Sequence, residues 1–197
     1  ASLFVSGGAT PRGAFDRLSE ASLDWARVTV GLVDERWVPP DHPESNELLV
    51  RKHLLRSHAA KASFLPMWTE AYDHDSAAMD RDVAYRAACQ EPTFVLLGMG
   101  ADGHTASWFP GMSELETVLT PPDERSVMAV RATASEIPRR LTLTGTVVNR
   151  ARHAALLIFG KEKREVLEAA MTSAPLVYPV RHALDGLGAR LRIVWAS

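Results

Sequence analysis

Five short runs built almost entirely from apolar residues recur along the chain, at Leu3 to Val5, Val28 to Val33, Thr93 to Leu97, Ala154 to Phe159 and Leu191 to Trp195. Strands without polar alternation are covered on both faces, as strands of a parallel sheet are when crossover helices pack on either side. Longer stretches with helical spacing lie between the runs. Ser45 to Arg56 sets Leu48, Leu49, His53 and Leu55 among charged residues, with Ser45 or Asn46 as N-cap, and Asp75 to Gln90 and Lys161 to Met171 have similar patterns. The alternation predicts an α/β fold with a mostly parallel sheet and helices on both faces. Thr120 to Pro138 is broken by Pro121, Pro122 and Pro138 and is expected to be irregular. No repeat or linker interrupts the chain. Its 197 residues, 46% of them hydrophobic, suit a single domain spanning 1–197 with a substantial core.

Composition narrows the partners. The formal net charge is -2 and the 22 Lys and Arg residues are scattered, which leaves no footprint for a nucleic-acid backbone or an anionic membrane. The longest apolar stretches, "FVLLGMG" and "AALLIFG", are far short of the roughly 20 residues that span a bilayer. Residues 1–10 lack a basic leader region and are expected to form a strand, not a signal peptide. Cys89 is the only cysteine, which suits a reducing compartment such as the cytoplasm.

Ligands of open α/β sheets gather beyond the carboxyl ends of the strands, so the segments following the apolar runs carry the most information. "SGGATP" has glycines that free main-chain N–H groups to converge on an anion, with the Thr10 hydroxyl beside them; a plain tight turn fits the same residues equally well. "VDERWVPPDHPESN" presents Asp34, Glu35 and Arg36 before a proline-stiffened loop, either a substrate-gripping set or a solvated ion-pair cluster. "LLGMGADGHTASWFPG" is the most informative. Gly98, Gly100 and Gly103 allow close approach of backbone to a ligand, and Asp102 and His104 are its central polar groups. Histidine exchanges protons near neutral pH and a neighbouring carboxylate orients its ring, which favours general-base work over a buried structural histidine.

Arg139 and Arg140 in "IPRRLTLT", and Lys161 and Lys163 in "FGKEK", lie at element ends where either pair can reach a phosphate. The seven histidines form neither HExxH nor a Cys/His cluster, so a metal site is not expected. GxSxG is absent and Ser107 has no evident activating partner, which disfavours a serine nucleophile.

In chain order, "SGGATP", "DERWVPPDHPESN", "GMGADGHTASWFPG" and "RLTLT" resemble the loop and strand motifs of the 6-phosphogluconolactonase family, and the third match is long and specific. The resemblance implies a parallel α/β sheet like that of glucosamine-6-phosphate deaminases and ribose-5-phosphate isomerases. It implies hydrolysis of 6-phosphoglucono-1,5-lactone to 6-phosphogluconate in the oxidative pentose phosphate pathway, with no metal or organic cofactor. The family's catalytic histidine falls on His104 and its phosphate site on Gly7, Gly8, Thr10, Arg140 and Lys163; Asp34 and Arg36 fall on a segment lining the sugar site. The expected catalytic set is thus His104, Asp102, Arg36 and Asp34, in a monomer or homodimer. Family members usually extend further at both termini, so missing or trimmed ends are expected here.

Two rival functions on the same fold fit these residues less well. Glucosamine-6-phosphate deaminases carry a glutamate five residues after the histidine, where this chain has Phe109. A sugar-phosphate sensor domain needs the phosphate loop but not His104.

Overall fold

The computed structural model describes residues 1–133 and 135–197. In chain order the elements are β1 (Ser2–Val5), α1 (Arg12–Ser19), β2 (Thr29–Leu32), β3 (Asp34–Arg36), α2 (Asn46–His53), β4 (Ser63–Leu65), α3 (His74–Tyr85) and β5 (Phe94–Gly98). They continue with α4 (Leu115–Leu119), β6 (Val127–Arg131), β7 (Arg139–Leu143), α5 (Gly145–Asn149), β8 (His153–Phe159), α6 (Lys161–Ala170), α7 (Val180–Leu187) and β9 (Leu191–Ala196).

All five apolar runs become strands of one six-stranded parallel sheet, ordered β4-β2-β1-β5-β8-β9. β1 is central, pairing Leu3 with both Val30 and Phe94. Phe4, Val5, Val30, Leu32, Val95, Leu97 and Leu156 are buried, and with Phe15, Trp25 and Tyr85 they form part of the core. At roughly 25 cal/mol per Å² of apolar surface removed from water, burial of such side chains is the main stabilising contribution.

A second sheet departs from the expected pattern. β3, β7 and β6 form a three-stranded antiparallel sheet in the order β3-β7-β6, and β6 lies inside the proline-broken stretch expected to be irregular; residue 134 of that stretch lies outside the described residues. Val33 joins the two sheets. Its N–H donates to Val5 of β1 (3.0 Å) and its carbonyl accepts from Leu143 of β7 (2.8 Å), so the chain crosses between sheets in one residue.

The predicted helices form with shorter bounds. Ser45 caps α2 by accepting from Leu48 N (3.2 Å), and Asp73 caps α3 by accepting from Ser76 N (2.7 Å). α3 stops at Tyr85, short of the predicted Gln90, because the chain turns before Pro92 to bury Cys89. Among the described residues no helix is long and apolar enough to cross a membrane.

Candidate functional site

The chain leaves β1 toward β2 on one side, while β5 pairs on the other, so the sheet has its topological switch point beside β1. The loop after β1 and the loop after β5 therefore open side by side. Together with β3, Arg140 of β7 and the start of α6 they enclose an open cavity of ≈ 320 Å³. Of the residues singled out in the sequence, Gly7, Gly8, Thr10, Asp34, Arg36, Gly98, Gly100, His104, Arg140 and Lys163 line this cavity. Asp102 and Gly103 do not. Asp102 acts on the ring of His104, and Gly103, expected in the pocket wall, packs instead against Tyr178 while its carbonyl accepts from Val180 N (3.0 Å).

The turn after β5 is built around the His104 ring. Gly100 N donates to the His104 carbonyl (2.9 Å), Gly103 N donates to the Gly100 carbonyl (3.1 Å), and Thr105 Oγ1 donates to the Gly98 carbonyl (2.7 Å). A Cβ on Gly100 would stand 2.2 Å from His104 Nδ1 and 2.7 Å from Asp102 Oδ1, so only glycine leaves room for the imidazole. Asp102 Oδ1 lies 2.5 Å from His104 Nδ1 and also accepts His104 N (3.1 Å). Burial opposes ionisation of Asp102, but the hydrogen bonds and charge of His104 outweigh it and hold the carboxyl below its usual range. An ionised carboxylate only accepts, so Nδ1 carries the proton and Nε2 is left as the free base.

The cavity is also lined by the cationic groups Arg36, Arg140 and Lys163. Arg140 is buried, with Nε donating to the Ile137 carbonyl (2.9 Å) and Nη2 to Ser135 Oγ (2.7 Å). Burial lowers its pKa, with the Asp34 charge acting in the opposite sense. Phe109 lies between Arg140 and the base. Its ring is 4.2 Å from the His104 ring and 5.9 Å from the Arg140 guanidinium carbon. His74, buried and with its pKa lowered by desolvation, donates from Nε2 to the Arg140 carbonyl (2.8 Å). Lys163 is in the first turn of α6 and has no ion-pair partner among the described residues. The basic residues nearest Lys163 and Arg140 in sequence engage other groups: Lys161 pairs with Glu165 (3.5 Å), and Arg139 lies over Trp37.

On the β3 side, Asp34 Oδ2 accepts from Ser107 Oγ (2.7 Å), so the buried Ser107 hydroxyl has a carboxylate partner that the sequence did not show. Arg36 Nη1 donates to the Glu44 carbonyl and lies 3.3 Å from Glu44 Oε2, while Arg36 Nε is buried with no partner among the described residues. Ser6, Asn46, Met99, Ala106 and Phe109 also line the cavity. Asn46 attracted attention in the sequence only as a helix cap. Its signal was its place after a long polar loop that closes back on β3. Among the described residues no group of three or more His, Cys, Asp or Glu is arranged to hold a metal ion.

A sequence model of the glucosamine-6-phosphate isomerases/6-phosphogluconolactonase family matches residues 1–195. The chain is 41% identical to a 6-phosphogluconolactonase of Xylella fastidiosa over 202 residues, covering 100% of this chain and 83% of the relative. It is 42% identical to one of Rhizobium meliloti over 197 residues, covering 100% and 84%. A crystal structure of a 6-phosphogluconolactonase from Shewanella baltica superposes with a TM-score of 0.91 at 36% identity, covering 100% of this chain and 84% of that one. A putative 6-phosphogluconolactonase from Neisseria gonorrhoeae superposes with a TM-score of 0.92 at 32% identity, covering 100% and 85%. This chain belongs to the family of glucosamine-6-phosphate isomerases and 6-phosphogluconolactonases.

Proposed function

We propose that the chain hydrolyses 6-phosphoglucono-1,5-lactone to 6-phosphogluconate, the second step of the oxidative pentose phosphate pathway. The observation that carries this reading is a histidine oriented by a carboxylate at 2.5 Å, lining one cavity with Arg140, Lys163 and the glycine loop. On this reading residues 1–197 work as one α/β unit, as a monomer or homodimer, in the cytoplasm.

His104 Nε2 takes a proton from water as the water oxygen attacks C1 of the lactone. The carbonyl electrons move to oxygen, giving a tetrahedral oxyanion. Its collapse breaks the bond from C1 to the ring oxygen, and the imidazolium returns its proton to that leaving oxygen. The acid formed ionises to the carboxylate. The amides of Gly100 and Gly103 are committed to the turn itself, so the Arg36 guanidinium, which lines the cavity, is the better donor to the oxyanion. Gly7, Gly8, Thr10, Arg140 and Lys163 hold the distant phosphate, and that anchor keeps C1 in register with the base. Asp34 accepts from sugar hydroxyls. Phe109 offers no titratable group for opening an amino-sugar ring, which weighs against the deaminase reaction.

The test is hydrolysis of freshly generated lactone, corrected for spontaneous opening, with EDTA present. Rapid, chelator-resistant turnover is expected. A folded chain that leaves the spontaneous rate unchanged overturns the reading.

A further inference from the structure

Alternation along β3 sends Asp34 and Arg36 toward the cavity and Glu35 away from it, into the interior, where Glu35 is 0% exposed. A carboxylate in that setting requires partners, and this one has four. Oε1 accepts Arg36 N (2.8 Å) and Asn46 N (2.7 Å), and Oε2 accepts Ser45 Oγ (3.0 Å) and Glu47 N (2.8 Å). Two of these donors are the first N–H groups of α2, which have no partner within the helix and carry its positive end. Ser45 Oγ also accepts from Leu48 N, so Glu35 and the cap residue hold the start of the helix jointly.

We propose that Glu35 is a positioning residue of the site: by clamping the Ser45–Glu47 turn to β3 it sets the places of Asn46 and Arg36 on the cavity wall. The inference rests on the lactonase reading given above. Asn46 fits a narrow slot. Its Nδ2 donates to the Asp34 carbonyl (2.8 Å), and its Oδ1 lies so near Gly7 that a Cβ there would be 1.9 Å away. Asn46 thereby joins β3 to the glycine loop that begins the phosphate site. Glu44, one residue before the cap, is the group that engages Arg36. Loosening the clamp moves both contacts together, and small displacements of binding groups weaken productive binding of substrate.

A merely structural Glu35 would affect the melting temperature alone, so the test separates binding from folding. Wild type, Glu35→Gln, Asn46→Ala and the double variant are compared for Tm, for KM and kcat with 6-phosphogluconolactone, and for Kd with 6-phosphogluconate by calorimetry. Glutamine keeps the shape but places an NH₂ against the Glu47 N–H or the Arg36 and Asn46 N–H groups. Glu35→Gln is expected to raise KM and Kd about tenfold through Asn46 and to lower kcat about tenfold through Arg36, and the double variant to bind no worse than its weaker-binding parent, as for two residues acting through one contact. Unchanged KM and Kd beside a lowered Tm overturn the proposal, as do effects that multiply in the double variant. If Glu35→Gln does not fold, Ser45→Ala, which removes one of the four donors, replaces it: raised KM and Kd support the clamp, and a lowered Tm alone overturns it. Absence of turnover by wild type counts against the lactonase reading only, because the Kd comparison still reads Glu35.

Discussion

Arg36 and Arg140 stand directly opposite one another across the antiparallel β3–β7 ladder, and both line the cavity. Like charges in facing positions repel, here with only partial relief from Glu44 beside Arg36 and Asp34 near Arg140. On the proposed reading each arginine of the pair is relieved by its own anionic group of the substrate, the phosphate at Arg140 and the developing oxyanion at Arg36. Arg140→Ala is therefore expected to raise KM for the phosphorylated lactone by about tenfold or more, the usual effect of losing a charge-assisted contact, and to change little for unphosphorylated gluconolactone. Equal impairment of both substrates in steady-state assays would remove Arg140 from the phosphate site.

His104→Ala is expected to lower kcat about 10²- to 10⁴-fold, the range that general-base catalysis supplies, while 6-phosphogluconate still binds. Asp102→Asn keeps the shape but permits the amide to donate to Nδ1, which favours the tautomer with its proton on Nε2, the wrong nitrogen for a base. It should lower kcat with little change in KM. A near-wild-type rate for either variant, measured with the spontaneous reaction subtracted, would argue that the base lies elsewhere.

Gly100 and Gly7 offer a paired test of which end of the cavity does what. A methyl on Gly100 meets the His104 ring at 2.2 Å, whereas one on Gly7 meets Asn46 Oδ1 at 1.9 Å. Each substitution overpacks its surroundings, at a cost of about 1–3 kcal/mol. Gly100→Ala is expected to reduce mainly kcat and Gly7→Ala to raise mainly KM. Reversal of that pattern in side-by-side kinetics would contradict the division into a base end and a phosphate end.

Much of this arrangement was legible in the sequence because its physics is local. Apolar runs reveal strands buried on both faces, and the segments at their carboxyl ends supply most of the cavity wall. The second sheet was not legible, since β3 has only three residues and β6 sits among prolines, and both exist through pairing with β7. Gly103 and Asp102 were placed correctly in the key turn, but which way a residue faces depends on Tyr178 and α7, more than seventy residues later. The buried role of Glu35 was not legible for a related reason: the sequence shows it only as the middle of a charged triplet, and the spacing to its partners at 45–47 shows nothing until the loop closes.

That buried carboxylate leads to a prediction about pH. Even with four donors, burial raises the Glu35 carboxyl from 4.5 to about 7. Below about pH 4.5 both the folded and the unfolded chain hold the proton, and as pH rises the unfolded chain releases it first, while the folded chain retains it until about 7. Glu35 therefore contributes a loss of folding stability between those values, on the order of 3 kcal/mol at 1.36 kcal/mol per pKa unit. His74 and His182 act in the opposite sense. Burial lowers their folded pKa, so each costs stability as pH falls through the ordinary histidine range. The wild-type profile mixes these contributions, but the difference between wild type and Glu35→Gln isolates one group. Urea denaturation of both proteins from pH 5 to 8 should give curves that diverge with the sign just given, wild type losing ground to the glutamine variant as pH rises. Parallel curves would mean that Glu35 keeps an ordinary carboxylate pKa in the folded chain, its four donors having fully offset burial.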